Sequence, residues 1–207
     1  MGRALRHWRL GLALAALAAA GLLAVAGRPG RGSAGPARVL VVGDSIAAGV
    51  GQHPHWTHYL PQYRFTCRVR PGAASREVLE QLGRGSAGYQ AVVICTGTSD
   101  GLTGVPIAEY RRHLLALVRL AGVGRVVLVA PLPVMVPAGD MRGRQVRPYR
   151  REMQAVARET GAYCLPPCVP ARREYFVDAV HLNGRGGRLL AEGIGKALAE
   201  VTGGTGG

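Results

Sequence analysis

Lysine is almost missing from this 207-residue chain: Lys196 is the only one. Arginine therefore carries nearly all of the formal net charge of +14. A surplus of that size suggests an anionic partner such as nucleic acid, acidic glycan or a membrane surface. The arginines do not support it, because pairs such as Arg111-Arg112, Arg150-Arg151 and Arg172-Arg173 are scattered. No arginine run is interleaved with aromatics as single-strand binders require. The charge reads as a solvated surface, and no nucleic-acid partner is expected. Aromatics are scarce too, at 5%, so Leu, Val, Ile and Ala must build the core. There are only four cysteines, and their spacing lacks the paired units of a zinc site. Cys67 and Cys95 lie in apolar runs and read as buried core thiols. Cys164 and Cys168, in CLPPC, are either a small disulfide loop in an oxidising compartment or two free thiols. No internal repeat is present, which excludes solenoids and propellers.

Acids are absent from residues 1–9, which carry Arg3, Arg6 and Arg9. Residues 10–26 are then uninterrupted Leu, Ala, Gly and Val. This is the basic region and apolar region of a secretory signal, with Ala24-Val25-Ala26 as a small-x-small cleavage site before Gly27. The segment 1–26 is expected to be a cleaved signal peptide or, with residues 10–26 as a tether, an uncleaved membrane anchor. Either places the remainder on the exported side. Residues 27–37, rich in Gly, Pro and Ser, read as a flexible linker. The folded domain is expected over 38–202, with a frayed tail at 203–207.

Within that domain, short apolar β-branched runs predict strands at 38–43, 65–69, 91–96, 125–131 and 162–165. Helical patterns fall between them at 75–83, 106–121, 146–160 and 185–201. The second of these starts at Pro106 and sets Ile107, Tyr110, Leu114, Leu117 and Val118 on one face. Strands alternating with helices imply an α/β domain with a parallel sheet covered on both faces. In such sheets chemistry sits just beyond the carboxyl ends of the strands.

The strand ends hold the polar residues. After the first strand comes Gly43-Asp44-Ser45, which places a serine on a strand-to-helix turn with its N–H at a helix N-terminus. After the second comes Gly72, whose backbone N–H can approach a substrate closely. After the third comes Gly97-Thr98-Ser99-Asp100. Before the last helix comes Asp178-Ala179-Val180-His181-Leu182-Asn183, where Asp and His lie on one tight turn. Each piece alone has a commoner explanation: a cap, a turn glycine, surface decoration.

Taken in order, GDS, the Gly after strand two, G-x-x-D and DxxHLN resemble the SGNH (GDSL) hydrolases over 38–201. The resemblance implies a flavodoxin-like, three-layer α/β/α sandwich on a mostly parallel five-stranded sheet. It implies a serine ester hydrolase with Ser45 as nucleophile, His181 as general base and Asp178 orienting it. It also implies an oxyanion hole from the N–H groups of Ser45 and Gly72 and an asparagine side chain, and no cofactor or metal. The third donor departs from the family: Ser99 stands where G-x-N-D has asparagine, and losing one such donor typically costs ~2.7–4 kcal/mol.

The implied substrate is a small-molecule, glycan or lipid ester. Two other readings remain: a non-catalytic module binding glycan, with Ser99 a sign of decay, and an acyltransferase to a sugar hydroxyl. His53, His55 and His58 crowd together, but no carboxylate accompanies them and Pro54 disturbs the spacing, so solvent-exposed or substrate-rim histidines are expected. The loop 131–144 carries Pro, Val and Met suited to lining an acyl or alcohol pocket, or else a plain surface loop.

Overall fold

The computed structural model describes residues 35–203 apart from 84, 123–124 and 136–141, with the backbone alone at 142–144. The expected signal or anchor, most of the linker, the middle of the 131–144 loop and residues 204–207 of the tail lie outside the described residues.

Five strands form the sheet: β1 (Ala37–Gly43), β2 (Tyr63–Val69), β3 (Ala91–Cys95), β4 (Val126–Val129) and β5 (Tyr163–Leu165). Their order is β2-β1-β3-β4-β5, and every pairing is parallel. The central strands β1, β3 and β4 are runs of Val, Leu, Ile and Ala because both of their faces are covered. Alternate side chains divide between two cores. Val39, Val41, Val93 and Val127 face one side, and Leu40, Val42, Val92 and Leu128 the other.

Helix α5 (Gly184–Val201) covers the first side, with Trp56 of a 3-10 turn (Trp56–Tyr59) beneath it. The second side is covered by α1 (Ser75–Leu82), α3 (Ile107–Ala121) and α4 (Arg142–Thr160). Each fully buried leucine of α3, such as Leu114 and Leu117, contributes about 1.5–3 kcal/mol. The three-layer α/β/α architecture follows directly. Helix α4 begins about a turn before the expected position, because Arg142–Gln145 carry no apolar periodicity to reveal it.

Two expectations need correction, and one open alternative is decided. Residues 44–51 form no helix but a coil of turns, closed by Ala48 N–H to Asp44 C=O (3.0 Å) and Val50 N–H to Ser45 C=O (3.1 Å). Cys67 is exposed, not buried, because β2 is the sheet edge. Cys164 and Cys168 are both free thiols. Strand β5 turns Cys164 toward the α3–α4 core, whereas Cys168 packs on the α5 side, beside Gly193. The two thiols thus pack against different cores.

Candidate functional site

The strand order reverses direction between β1 and β3, the place at which open α/β sheets take up ligands beyond their carboxyl ends. Gly43 shapes its floor. Its φ of +155° is foreign to L side chains, and a Cβ would lie 2.4 Å from the Cys95 carbonyl oxygen. Only glycine lets β1 end this close to β3. Asp44 N–H then donates to that same Cys95 carbonyl (3.2 Å), so the chain turns sharply and presents Ser45. Ser45 is 8% exposed.

The segment before α5 is a small closed turn. Phe176 and Leu182 form an antiparallel bridge, and Val177 N–H donates to the His181 carbonyl at 2.9 Å. Inside it, Asp178 Oδ1 accepts from the N–H groups of Val180 and His181, both at 2.7 Å. Asp178 Oδ2 lies 2.7 Å from His181 Nδ1, and His181 Nε2 lies 3.0 Å from Ser45 Oγ. The side chain of Asp178 is half exposed. Its partial burial raises the carboxyl, but hydrogen bonds from the His181 N–H and ring and from Val180, with the histidine's charge, outweigh that and hold it at about 2. An ionised Asp178 can only accept, so Nδ1 carries a proton. In neutral His181 the bare Nε2 then faces the Ser45 hydroxyl. The arrangement can move the serine proton to the imidazole while an anion steadies the cation that forms.

Gly51 packs the two halves together, since a Cβ there would meet Val177 Cγ2 at 2.7 Å and the Leu182 carbonyl oxygen at 2.9 Å.

Gly72 follows β2 in a left-handed conformation (φ +78°) with nothing within 4 Å of a Cβ, so its backbone is open to approach. Ser99 lies half-buried in the second position of a short helix, α2 (Thr98–Thr103), where the sequence pattern suggests only a loop. Gly72 and Ser99 follow β2 and β3, the two strands that pair with β1. No hydrogen bond joins either of them to the Ser45–His181–Asp178 set among the described residues.

Asp44, which the motif supplies beside the serine, is 1% exposed. Burial pushes its carboxyl up to about 7, against the lowering effect of the Ile46 N–H bonded to Oδ1 at 2.9 Å. Four donors converge on the buried carboxylate of Asp100: Ser75 N–H and Oγ, Thr96 Oγ1 and Gly97 N–H. The G-x-x-D spacing marks Asp100 only as a strand-end polar group and gives no sign of these partners.

The three crowded histidines do not converge. His55 is held by Thr57 Oγ1 (2.9 Å) and the Ala47 carbonyl (3.2 Å), while His53 and His58 are exposed. Among the described residues no group of three or more His, Cys, Asp or Glu could hold a metal ion. Of the 131–144 loop, Leu132 is buried, and Met135 N–H donates to the Ala179 carbonyl at 2.6 Å. That bond fixes the start of the loop beside the Asp178–His181 turn.

The sequence profile of the GDSL-like Lipase/Acylhydrolase family matches residues 41–189. Solved structures share the fold. A lipase/acylhydrolase from Enterococcus faecalis superimposes with a TM-score of 0.67 at 18% identity, covering 81% of this chain and 96% of its own. A GDSL-like lipase from Bacteroides thetaiotaomicron gives 0.66 at 18% identity, over 86% of this chain and 94% of its own. The psychrotrophic esterase EstA from a Pseudoalteromonas species, in a structure inhibited by monoethylphosphonate, gives 0.63 at 18% identity over 78% and 96%. No curated protein matches the chain.

Proposed function

This chain belongs to the GDSL-like lipase/acylhydrolase family, and on that footing we propose that it is an exported carboxylic-ester hydrolase working through Ser45, His181 and Asp178. One observation carries the reading: an unbroken hydrogen-bonded chain, Asp178 Oδ2 to His181 Nδ1 (2.7 Å) and His181 Nε2 to Ser45 Oγ (3.0 Å). His181 Nε2 takes the Ser45 proton as Oγ bonds to the ester carbonyl carbon. The alcohol's C–O bond then breaks, and the leaving oxygen takes the proton back from Nε2. Water repeats the sequence on the acyl-enzyme and releases the acid. The N–H groups of Ser45 and Gly72, with the hydroxyl of Ser99 as third donor, face the oxyanion.

The substrate is a small-molecule, glycan or lipid ester. Export rests on the basic residues 1–9 and the apolar residues 10–26. Among the described residues no helix is long and apolar enough to cross a membrane. The N-terminal residue of the mature protein checks this part: Gly27 marks cleavage and Met1 an anchor.

Hydrolysis of a short-chain nitrophenyl ester by the wild type and by Ser45→Ala tests the chemistry. The variant should lose activity by about 10⁴-fold or more and escape labelling by a fluorophosphonate. Equal rates in the two proteins would sink the proposal.

A further inference from the structure

A second chain of hydrogen bonds, separate from the Ser45–His181–Asp178 set, joins residues 25 and 38 positions apart in sequence. It starts at His113 on α3, whose side chain is 17% exposed. His113 Nδ1 lies 2.9 Å from Ser75 Oγ. Ser75, fully buried at the start of α1, donates its hydroxyl to Asp100 Oδ1 at 2.5 Å. Its backbone N–H reaches both Asp100 oxygens, at 3.0 and 3.1 Å. Asp100 in turn accepts from Gly97 N–H (3.1 Å) and Thr96 Oγ1 (3.3 Å).

Proton accounting fixes the direction of this chain. Ser75 Oγ carries a single hydrogen, and Asp100 receives it. Only lone pairs remain on Ser75 Oγ for the imidazole, so His113 Nδ1 must be the donor. His113 Nε2 then points to Glu109, one helical turn earlier, with Oε1 3.9 Å away.

The chain braces the Gly72 loop and the start of α2 at once. Gly72 lies three residues before Ser75, and no atom approaches within 4 Å of a Cβ built on it. Downstream of Gly72, its loop is held at Ala74 N–H by Glu77 Oε2 (3.0 Å) and at Ser75 by Asp100. Ser99 immediately precedes Asp100. The carboxylate of Asp100 is thus the shared clamp of both segments. His113 keeps the Ser75 hydroxyl turned toward that clamp.

We infer that His113 is a positioning residue, holding the Gly72 loop and the first turn of α2, with Ser99, in register through Ser75 and Asp100. This rests on the ester-hydrolase reading, because the two segments matter only if they receive an oxyanion. His113 touches neither Ser45 nor His181, so its effect should fall on the transition state and not on binding.

The test is a double-mutant cycle on the full chain with a nitrophenyl ester: His113→Leu, Ser75→Ala and the pair. His113→Leu should lower kcat about tenfold with KM within a factor of two, since small misplacements of transition-state groups cost up to about 10²-fold. In the Ser75→Ala background it should cost nothing further. His113→Asn, whose Nδ2 takes the place of the ring Nδ1, should restore kcat. This variant also decides the question if His113→Leu fails to fold, because loss of kcat in a folded His113→Asn overturns the inference. An unchanged kcat in folded His113→Leu, an additive cycle, or a rise in KM alone overturns it too. Fluorophosphonate labelling of wild-type Ser45 keeps the two proposals apart: failure to label sinks the hydrolase reading, whereas labelling with an additive cycle sinks this one alone.

Discussion

Replacing Asp44 by asparagine isolates the cost of a buried carboxyl group beside Ser45. Asp44 is 1% exposed, and burial pushes its carboxyl from the ordinary 3.8 up to about 7. A raised pKa means that the folded state holds its proton longer than the unfolded state. Stability from this group is therefore full below pH 4, falls as pH rises from about 4 to 7, and is flat above 7. Three pH units at 1.36 kcal/mol each give a loss of about 4 kcal/mol between those limits. Asparagine has no proton to lose, and its Oδ1 can still accept from Ile46 N–H, as Asp44 does now at 2.9 Å. Thr96 and Thr98 line a cavity of about 10 Å³ against the same side chain. Urea unfolding of wild type and Asp44→Asn at pH 4.5, 6 and 8 reads the effect. The variant's advantage should grow by about 3 kcal/mol between pH 4.5 and pH 8. Other titrating groups drop out, because they are common to both proteins. Curves that stay parallel from pH 4.5 to 8 would refute the argument.

Two other substitutions probe the structure independently. Ser99→Asn supplies the longer carboxamide donor and should raise kcat by up to about 10²-fold if the hydroxyl falls short of the oxyanion. A fall in ester turnover would mean that the pocket is built around serine. Gln52 is 3% exposed, and neither Oε1 nor Nε2 finds a partner among the described residues. Gln52→Met removes two unsatisfied groups at similar length and should stabilise by about 1 kcal/mol, read as a rise in the urea midpoint. A lower midpoint would show that the carboxamide is satisfied in solution.

The strands were legible because β1, β3 and β4 are buried on both faces and must be unbroken apolar runs. Ser45, His181 and Asp178, far apart in sequence, meet because a parallel sheet delivers successive loops to one end. What stayed hidden follows from contacts that periodicity cannot encode. Cys67 sits in an apolar context yet is exposed, since only the strand order makes β2 an edge. The turns after Gly43 mimic a helix start, but the close approach to Cys95 redirects the chain. The Ser75–Asp100–His113 chain joins three elements whose proximity exists only once α1 and α3 pack on the same face of the sheet.

Three aspartates around the serine show how differently the same side chain can be held. Asp178 is half exposed and owes its low pKa to hydrogen bonds from the turn that it closes. Its hold on His181 therefore depends on the hairpin geometry of 176–182, not on burial. Asp100 is fully buried and receives four donors from two loops. Its removal would strand those donors together, so it works as a rigid joint. Asp44 is equally buried, but burial dominates its environment and pushes its carboxyl up. His181 and Asp178 thus stand on a solvent-facing turn, while the segments that carry Gly72 and Ser99 are tied to the interior through Asp100. For the ester hydrolase proposed above, that division leaves the histidine within reach of solvent and holds the oxyanion donors fixed.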